Sequence, residues 1–332
     1  MNNQFIYIVV ITTCSWLSSY GQYTQVPDNV FEQHLIDQGI DTEGILDGQV
    51  LTDDIANVIT LNVSPESQEF PLIQDLTGIE DFTDLEFFVF SSNAVEEVDL
   101  SQNFNLKTLV CNENNLQNLD VSGNVLLETL NASNCPIGVC EQENTFSVLN
   151  LSNNTNLKSL VIGFNNFIEA IDLSNNPMLE GGVFVENPEL TTLNVKNGNN
   201  ENLQNLNVLD NMNLNCITVD DPLAATQGDT YPYDQWNIQE GIVFSQDCSL
   251  GIEEAIAVQL SIFPNPVENT IFIQNHYGLD IYSVSLYDTL GRKVMENTEA
   301  TESIDVSNLT AGIYFIHITT DSGIVTKKII KE

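Results

Sequence analysis

"LKTLVCNENNLQNLDVSGNVL", residues 106–126, sets leucines and asparagines at offsets that the whole middle of the chain repeats. Leu106, Leu109 and Cys111 stand at the start, three and five residues on, the alternation of a short strand that buries one face. The phrases beginning at Leu85, Leu127, Leu157 and Leu179 have the same form, the last of them, "LEGGVFVENPELTTLNVKNG", degenerate. Leu85, Leu106 and Leu127 are 21 residues apart; Leu157 follows after 30, across an insertion, and Leu179 after 22. One unit cannot bury its apolar side alone, so neighbouring units must stack into a solenoid.

Other columns run through the stack. Asn93, Asn114, Cys135, Asn165 and Asn187 share a position after the strand, where side chains can bond the backbone of a turn. In the second half, "EVDLSQN", "NLDVSGN", "VLNLSNN" and "AIDLSNN" align Asp99, Asp120, Asn150 and Asp172, then Ser101, Ser122, Ser152 and Ser174. Stacked strands lie about 4.8 Å apart, and neighbouring carboxylates in water repel at that range by less than about 1 kcal/mol. The column therefore needs no metal. No cofactor is expected; a calcium ladder is the lesser reading, because it would need more converging oxygens per ion.

The pattern L-x-x-L-x-L-x-x-N/C-x-L resembles the leucine-rich repeat, over residues 85–215. That resemblance implies a solenoid capped at both ends. Before it, residues 22–84 read as a cap and a divergent first coil: Pro27-Asp28 starts a helix that puts Phe31, Leu35 and Ile36 on one face. After it, residues 216–250 resemble the closing segment of secreted bacterial leucine-rich-repeat proteins. The resemblance implies that Cys216 and Cys248 pair around a turn containing Trp236. Cys111 reads as a small buried hydrophobe. Cys135 and Cys140 either bridge across the start of the insertion or stay separate, and the bridge is preferred.

The text changes after a linker, residues 251–259. From 260 to 332 short runs alternate apolar and polar residues between turn signals, as six or seven strands of a small antiparallel β-sandwich do. Pro264-Asn265-Pro266, the Gly291-Arg292 turn, the strand around Gly312 and the basic end at Lys327, Lys328 and Lys331 resemble the C-terminal sorting domain of the type IX secretion system. This implies recognition by that machinery and removal by its sortase-like peptidase. The lysines also suit docking to a receptor, as a basic end on an acidic chain. The expected fold is thus mainly β with a small α cap: a leucine-rich-repeat solenoid, then a β-sandwich.

At the other end, residues 1–21 read as a secretory signal peptide: an apolar run from Phe5 to Leu17, then Ser19 and Gly21 before a cleavage at Gln22. Cys14 lies inside the run and leaves with it. No other run reaches the roughly 20 apolar residues that span a bilayer. The chain has 47 acids against 8 bases, and residues 22–251 hold 36 of the acids with 3 of the bases. A field of that sign repels nucleic acid and anionic membranes.

No GxSxG, phosphate loop, HExxH or CxxC pair occurs, and the only histidines are His34, His276 and His317. An enzyme is not expected unless a pocket sets His34 beside a nucleophile. The outward strand positions offer a broad face instead: Phe87, Thr108, Thr129, Ser159, Gly181 and Thr192 in one column, Val89, Val110, Asn131, Val161, Val183 and Asn194 in the next. Small and uncharged, this face points to recognition or adhesion involving an extracellular protein or glycan. The alternatives are plain β-propensity and a surface-layer component without a discrete ligand. The expected location is the outer surface of a Gram-negative bacterium or the medium around it.

Overall fold

The computed structural model describes residues 22–65, 71–136, 138–248, 260–275, 280–297, 303–320 and 323–332. The expected signal peptide and linker lie outside the described residues. Two apolar cores form, one running from Val26 to Phe244 and one from Leu260 to Ile329.

In the first, each coil contributes a three-residue strand whose middle side chain is buried and whose flanking side chains face outward. Seven such strands join in parallel: Thr60–Asn62, Phe87–Val89, Thr108–Val110, Thr129–Asn131, Ser159–Val161, Gly181–Val183 and Asn205–Asn207. The register is direct, Leu109 opposite Leu130 and Leu130 opposite Leu160, so equivalent residues stack. This front sheet takes in Thr60–Asn62, the divergent first coil. It also takes in Asn205–Asn207, from a further coil whose leucines, Leu203 and Leu206, follow the degenerate unit.

A second parallel sheet forms on the other side of the later coils, from Ala170–Asp172, Thr192–Asn194, Cys216–Thr218 and Val243–Ser245. Thr192 pairs with Ala170 and Asn194 with Asp172, so both belong to this rear sheet. The sequence reading had assigned them to the front face. The reason is that "LTTLNV" is a second-half segment in register with "EAIDLS", and its leucines imitate a first half.

Asparagine ladders lock the coils together. Asn114, fully buried, donates from Nδ2 to Phe90 O at 3.0 Å and Cys111 O at 3.2 Å, and accepts from Val95 N at 3.2 Å. Asn93, Asn187 and Asn211 act alike. Cys135 does not hold the equivalent slot. Asn134 and Asn144 fill it: Asn144 reaches Cys111 O and Ala132 O and accepts from Leu116 N, while Asn134 accepts from Asn144 N at 2.7 Å. The insertion leaves after Asn134 and returns before Asn144, and Cys135 and Cys140, displaced outward, form a disulfide. A second ladder, Asn103, Asn124, Asn154 and Asn176, donates to carbonyls of the preceding coil.

Both ends are covered. The helix Asn29–Asp37 starts at Asp28, whose Oδ1 accepts from Val30 N and Phe31 N, and it buries Phe31 and Leu35. Ile36 is only half-buried; Glu32 is buried in its stead. At the far end Trp236 donates from Nε1 to Leu203 O at 2.7 Å and packs against Tyr233 and Phe244. The Cys216–Cys248 disulfide ties the closing segment to the rear sheet.

The tail is a β-sandwich of two antiparallel sheets. One holds Leu260–Phe263, Thr270–Asn275 and Ser303–Asp305; the other Ile281–Asp288, Lys293–Asn297, Gly312–Thr320 and Gly323–Lys331. Leu260, Ile271, Val284, Leu286, Ile316, Ile318 and Ile329 fill the space between them.

Candidate recognition face

The exposed columns of the front sheet follow from strand alternation: with Leu109, Leu130 and Leu160 turned inward, the residues on either side must face out. The structure brings together Phe87, Thr108, Thr129 and Ser159 in one column, continued by Gly181 and Asn205. Val89, Val110, Asn131, Val161 and Val183 form the next, continued by Asn207. Asn205 and Asn207 take the places that the sequence reading gave to Thr192 and Asn194. The signal that could have found them is the second leucine pair, Leu203 and Leu206, with its own ladder residue Asn211.

None of these twelve outward positions is charged. Along one rim Glu86, Lys107, Glu128, Lys158 and Glu180 alternate in sign. Lys107 pairs with Glu86 and Lys158 with Glu128, each at 2.8 Å. Glu128 holds Lys158 above the ordinary lysine range, through its hydrogen bond first and its charge second. Exposed pairs of this kind add little to stability, because water screens them. Their effect here is electrical, because two of the three bases before the tail stand where they cancel rim acids.

A further apolar element lies on the turn leading into the front strands. Phe104, Val125, Leu126 and Met178 are 56 %, 47 %, 40 % and 53 % exposed. They occupy the one or two positions after ladder residues Asn103, Asn124 and Asn176. On the opposite rim the chain leaves five of the seven front strands through a left-handed residue: Ser92, Glu113, Phe164, Glu186 and Asp210 have φ between 53° and 62°. Asn93, Asn114 and Asn211 hold this turn by donating to its carbonyls, whereas Asn165 accepts from Phe167 N and Ile168 N instead. Sequence reasoning missed the left-handed column, since none of the five is glycine.

Asp99, Asp120 and Asp172 stand away from this face. Each accepts from the backbone N–H two residues on, at Ser101, Ser122 and Ser174, at 2.9 to 3.0 Å, and Asn150 does the same for Ser152. The Ser101 and Ser122 hydrogen bonds hold Asp99 and Asp120 below the usual carboxylate range. The column caps turns.

His34 lines a groove of about 690 Å3 on the cap, with Gln33, Asp37, Asn62 and Ser64. Ser64 Oγ is buried there and makes no hydrogen bond among the described residues.

In the tail, Asn265 pins its loop to the last strand, donating to Lys328 O at 3.0 Å and accepting from Ile330 N at 2.9 Å. Pro264 and Pro266 flank it. Gly291, at φ 75°, turns the chain so that Arg292 pairs with Asp288 at 2.7 Å. Gly312 opens the nine-residue strand Gly312–Thr320. The basic end is only partly presented: Lys328 is exposed, but Lys327 is half-buried, with burial lowering its pKa, and Lys331 is buried. Strand alternation turns Lys331 toward the core side, which a reading of charge alone does not reveal.

Residues 261–332 match the family model described as a secretion system C-terminal sorting domain. No curated protein matches the chain. Among solved structures, the functional domain of InlJ from Listeria monocytogenes is similar at 17% identity and a TM-score of 0.37, over 94% of this chain and 99% of that one. An internalin C2 from Listeria monocytogenes is similar at 16% identity and a TM-score of 0.35, over 60% of this chain and 97% of that one. The coil register described above carries the fold without them. Residues 261–332 imply a secreted or cell-surface protein that carries a type IX sorting tail, and the coils before it have the form of a leucine-rich-repeat solenoid. No described helix is long and apolar enough to cross a membrane.

Proposed function

We propose that the solenoid is a non-catalytic recognition module that binds an extracellular protein or glycan through the front sheet, in an adhesive role. The observation that carries this reading is the twelve-position uncharged face, with a self-cancelling rim, on a segment of 36 acids and 3 bases. Interface centres are depleted of charge, while the surrounding surface is free to carry it. The exposed Phe87 supplies an aromatic anchor at one end. The tail then serves delivery to the outer surface of a Gram-negative cell, with the sortase-like peptidase of that system removing it.

The test uses the full chain on arrays of extracellular proteins and glycans, beside Thr129→Glu and Val161→Glu variants. Both sites are half-exposed, so neither substitution buries a charge. Binding that both variants lose supports the face. Blank arrays together with self-association of the unmodified chain would overturn it in favour of a surface-layer role.

A further inference from the structure

Glu32 and Asp41 are the two buried carboxylates among the described residues. Glu32 is satisfied: Oε1 accepts from Asp47 N and Gly48 N, both at 2.9 Å, and holds the loop from below. Asp41 is not. Its Oδ1 accepts from Glu43 N at 3.0 Å, while Oδ2 is buried without a partner and the residue is 3 % exposed. A buried anionic oxygen needs a counter-charge or donors. Residues 22–106 hold 18 acids and no lysine or arginine, so this part of the chain has no permanent cation to offer.

We propose that the loop from Asp41 to Asp54 binds a calcium ion, with Asp41 Oδ2 as its buried ligand. The loop runs between the helices Asn29–Asp37 and Thr52–Ile55. It reads D-x-E-x-I-L-D-G followed by five residues and an aspartate. A helix-flanked calcium loop has the pattern D-x-[DN]-x-[DN]-G-x5-E. Here Ile45 and Leu46 are inserted, Glu43 stands for the second acid and Asp54 for the last. Gly48, at φ 84°, makes the sharp turn that this position requires. Asp54 Oδ2 is held by Thr42 N at 3.0 Å and Thr42 Oγ1 at 2.6 Å, which brings it to the same turn as Asp41 and leaves Oδ1 for an ion. Glu43 and Asp47 are exposed, each held by a single exposed side-chain hydrogen bond, from Tyr23 and Gln49. Among the described residues no three such side chains already form a cage. The ion therefore takes Asp41 and Asp54 with carbonyls and waters, and draws in Glu43 and Asp47. Calcium suits a flexible shell of six to eight oxygens; magnesium demands a rigid octahedron.

The hydroxyl of Tyr23 lies 3.1 Å from Glu43 Oε1, which supplies an optical probe. Terbium, a luminescent stand-in for calcium, is titrated into the chelator-stripped full chain with tyrosine excitation, and calcium uptake is measured by calorimetry. The expected result is one saturable luminescence signal that calcium displaces and equal magnesium does not. Tyr23→Phe loses the luminescence and keeps the calcium heat. Asp41→Asn weakens calcium binding about tenfold or more at unchanged far-UV circular dichroism, while Asp99→Asn leaves it unaltered. If Asp41→Asn does not fold, the half-exposed Asp54→Asn decides by the same criterion. No saturable calcium heat, or equal uptake by the deciding variant, overturns the proposal, as does luminescence that survives Tyr23→Phe.

Discussion

Replacing Asn114 with alanine strips one of two side-chain donors from Phe90 O and from Cys111 O, which keep Asn93 and Asn144, and leaves Val95 N without its partner. The first and last belong to the preceding coil, so the loss falls on the bond between coils. A buried group left without a partner costs about 1–3 kcal/mol. One such group and two lost hydrogen bonds of about 0.5–1.5 kcal/mol each set an upper range near 6 kcal/mol, and a water entering the small vacated space recovers part of it. The expected loss is about 3 kcal/mol, a large share of a typical stability of roughly 5–15 kcal/mol. An exposed control, Asn175→Ala, should stay within about 0.5 kcal/mol.

Urea unfolding checks this with two probes, far-UV circular dichroism for the strands and the fluorescence of Trp236, the one tryptophan after residue 21. Trp236 sits at the closing end, so separated transitions would show that the stack breaks near the altered coil before the cap is lost. Asn114→Asp adds a second reading. It keeps an acceptor for Val95 N, removes the donors and places a carboxyl in a fully buried site. Burial raises the folded pKa of that carboxyl above its unfolded value. Stability is then greatest below the unfolded value and declines as pH rises through the folded one. The alanine variant carries no such pH dependence. A loss below about 1 kcal/mol for Asn114→Ala, or parallel pH curves for the two variants, would refute the account of the ladder as inter-coil bonding.

Gly182 takes the inward strand position held elsewhere by leucine or, in one coil, Phe88, because Phe184 folds beneath it; a Cβ there would lie 2.7 Å from Phe184 Cε2. Gly182→Leu alone should cost about 1–3 kcal/mol by overpacking, and Gly182→Leu with Phe184→Val should recover most of it, read as a coupling energy by chemical denaturation. Reduction should act unequally on the two disulfides. The loop-entropy relation gives about 3.7 kcal/mol for Cys216–Cys248, whose separation is 32, and about 2.2 kcal/mol for Cys135–Cys140, whose separation is 5. Calorimetry of Cys216→Ser and Cys135→Ser should show the larger fall in Tm for the first. Asp99 and Asp120 are held below the ordinary carboxylate range, so their contribution is present above the unfolded pKa and fades as pH falls through the folded one. Asp120→Asn, which copies the natural Asn150, should match the parent at neutral pH and lose part of the acid limb in a Tm-against-pH series.

The solenoid was legible because its rule is periodic: each stacked leucine and asparagine repeats a constraint, so four units state it four times. Where the period broke, the reading slipped. "LTTLNV" satisfies a first-half pattern by spacing alone, and only the register with Ala170–Asp172 assigns it to the rear. Cys135 satisfies the ladder motif by offset, yet the insertion lets Asn134 and Asn144 supply better hydrogen-bonding groups. Glu32 was invisible for a different reason: the three amides that satisfy it come from a loop 15 to 17 residues away, and no local pattern records such a contact. In the tail, the turn at Gly291 and the strand at Gly312 follow local chemistry. The burial of Lys331 depends on which face of the last strand meets the other sheet.

The neutrality of the front face needs a cause beyond the fold. If strand propensity alone kept acids off outward positions, the rear sheet would be free of them too, since it stacks with the same direct register. It is not: Asp172 faces outward on Ala170–Asp172, opposite Asn194, whose amide donates to it at 3.0 Å. Asp99 and Asp120 stand at the corresponding position in earlier coils. The stack therefore accommodates carboxylates on an outward column, at a repulsion below about 1 kcal/mol per neighbour, and places them on one side only. Two of the three lysines before the tail are set on the front rim, where exposed pairing adds little stability but removes charge. A physical distinction between the sheets follows. Glutamate introduced at Thr192, on the rear, should leave ligand binding unchanged, whereas glutamate at Thr129 should abolish it at the same stability, and equal loss from both would return the neutrality of the front sheet to chance.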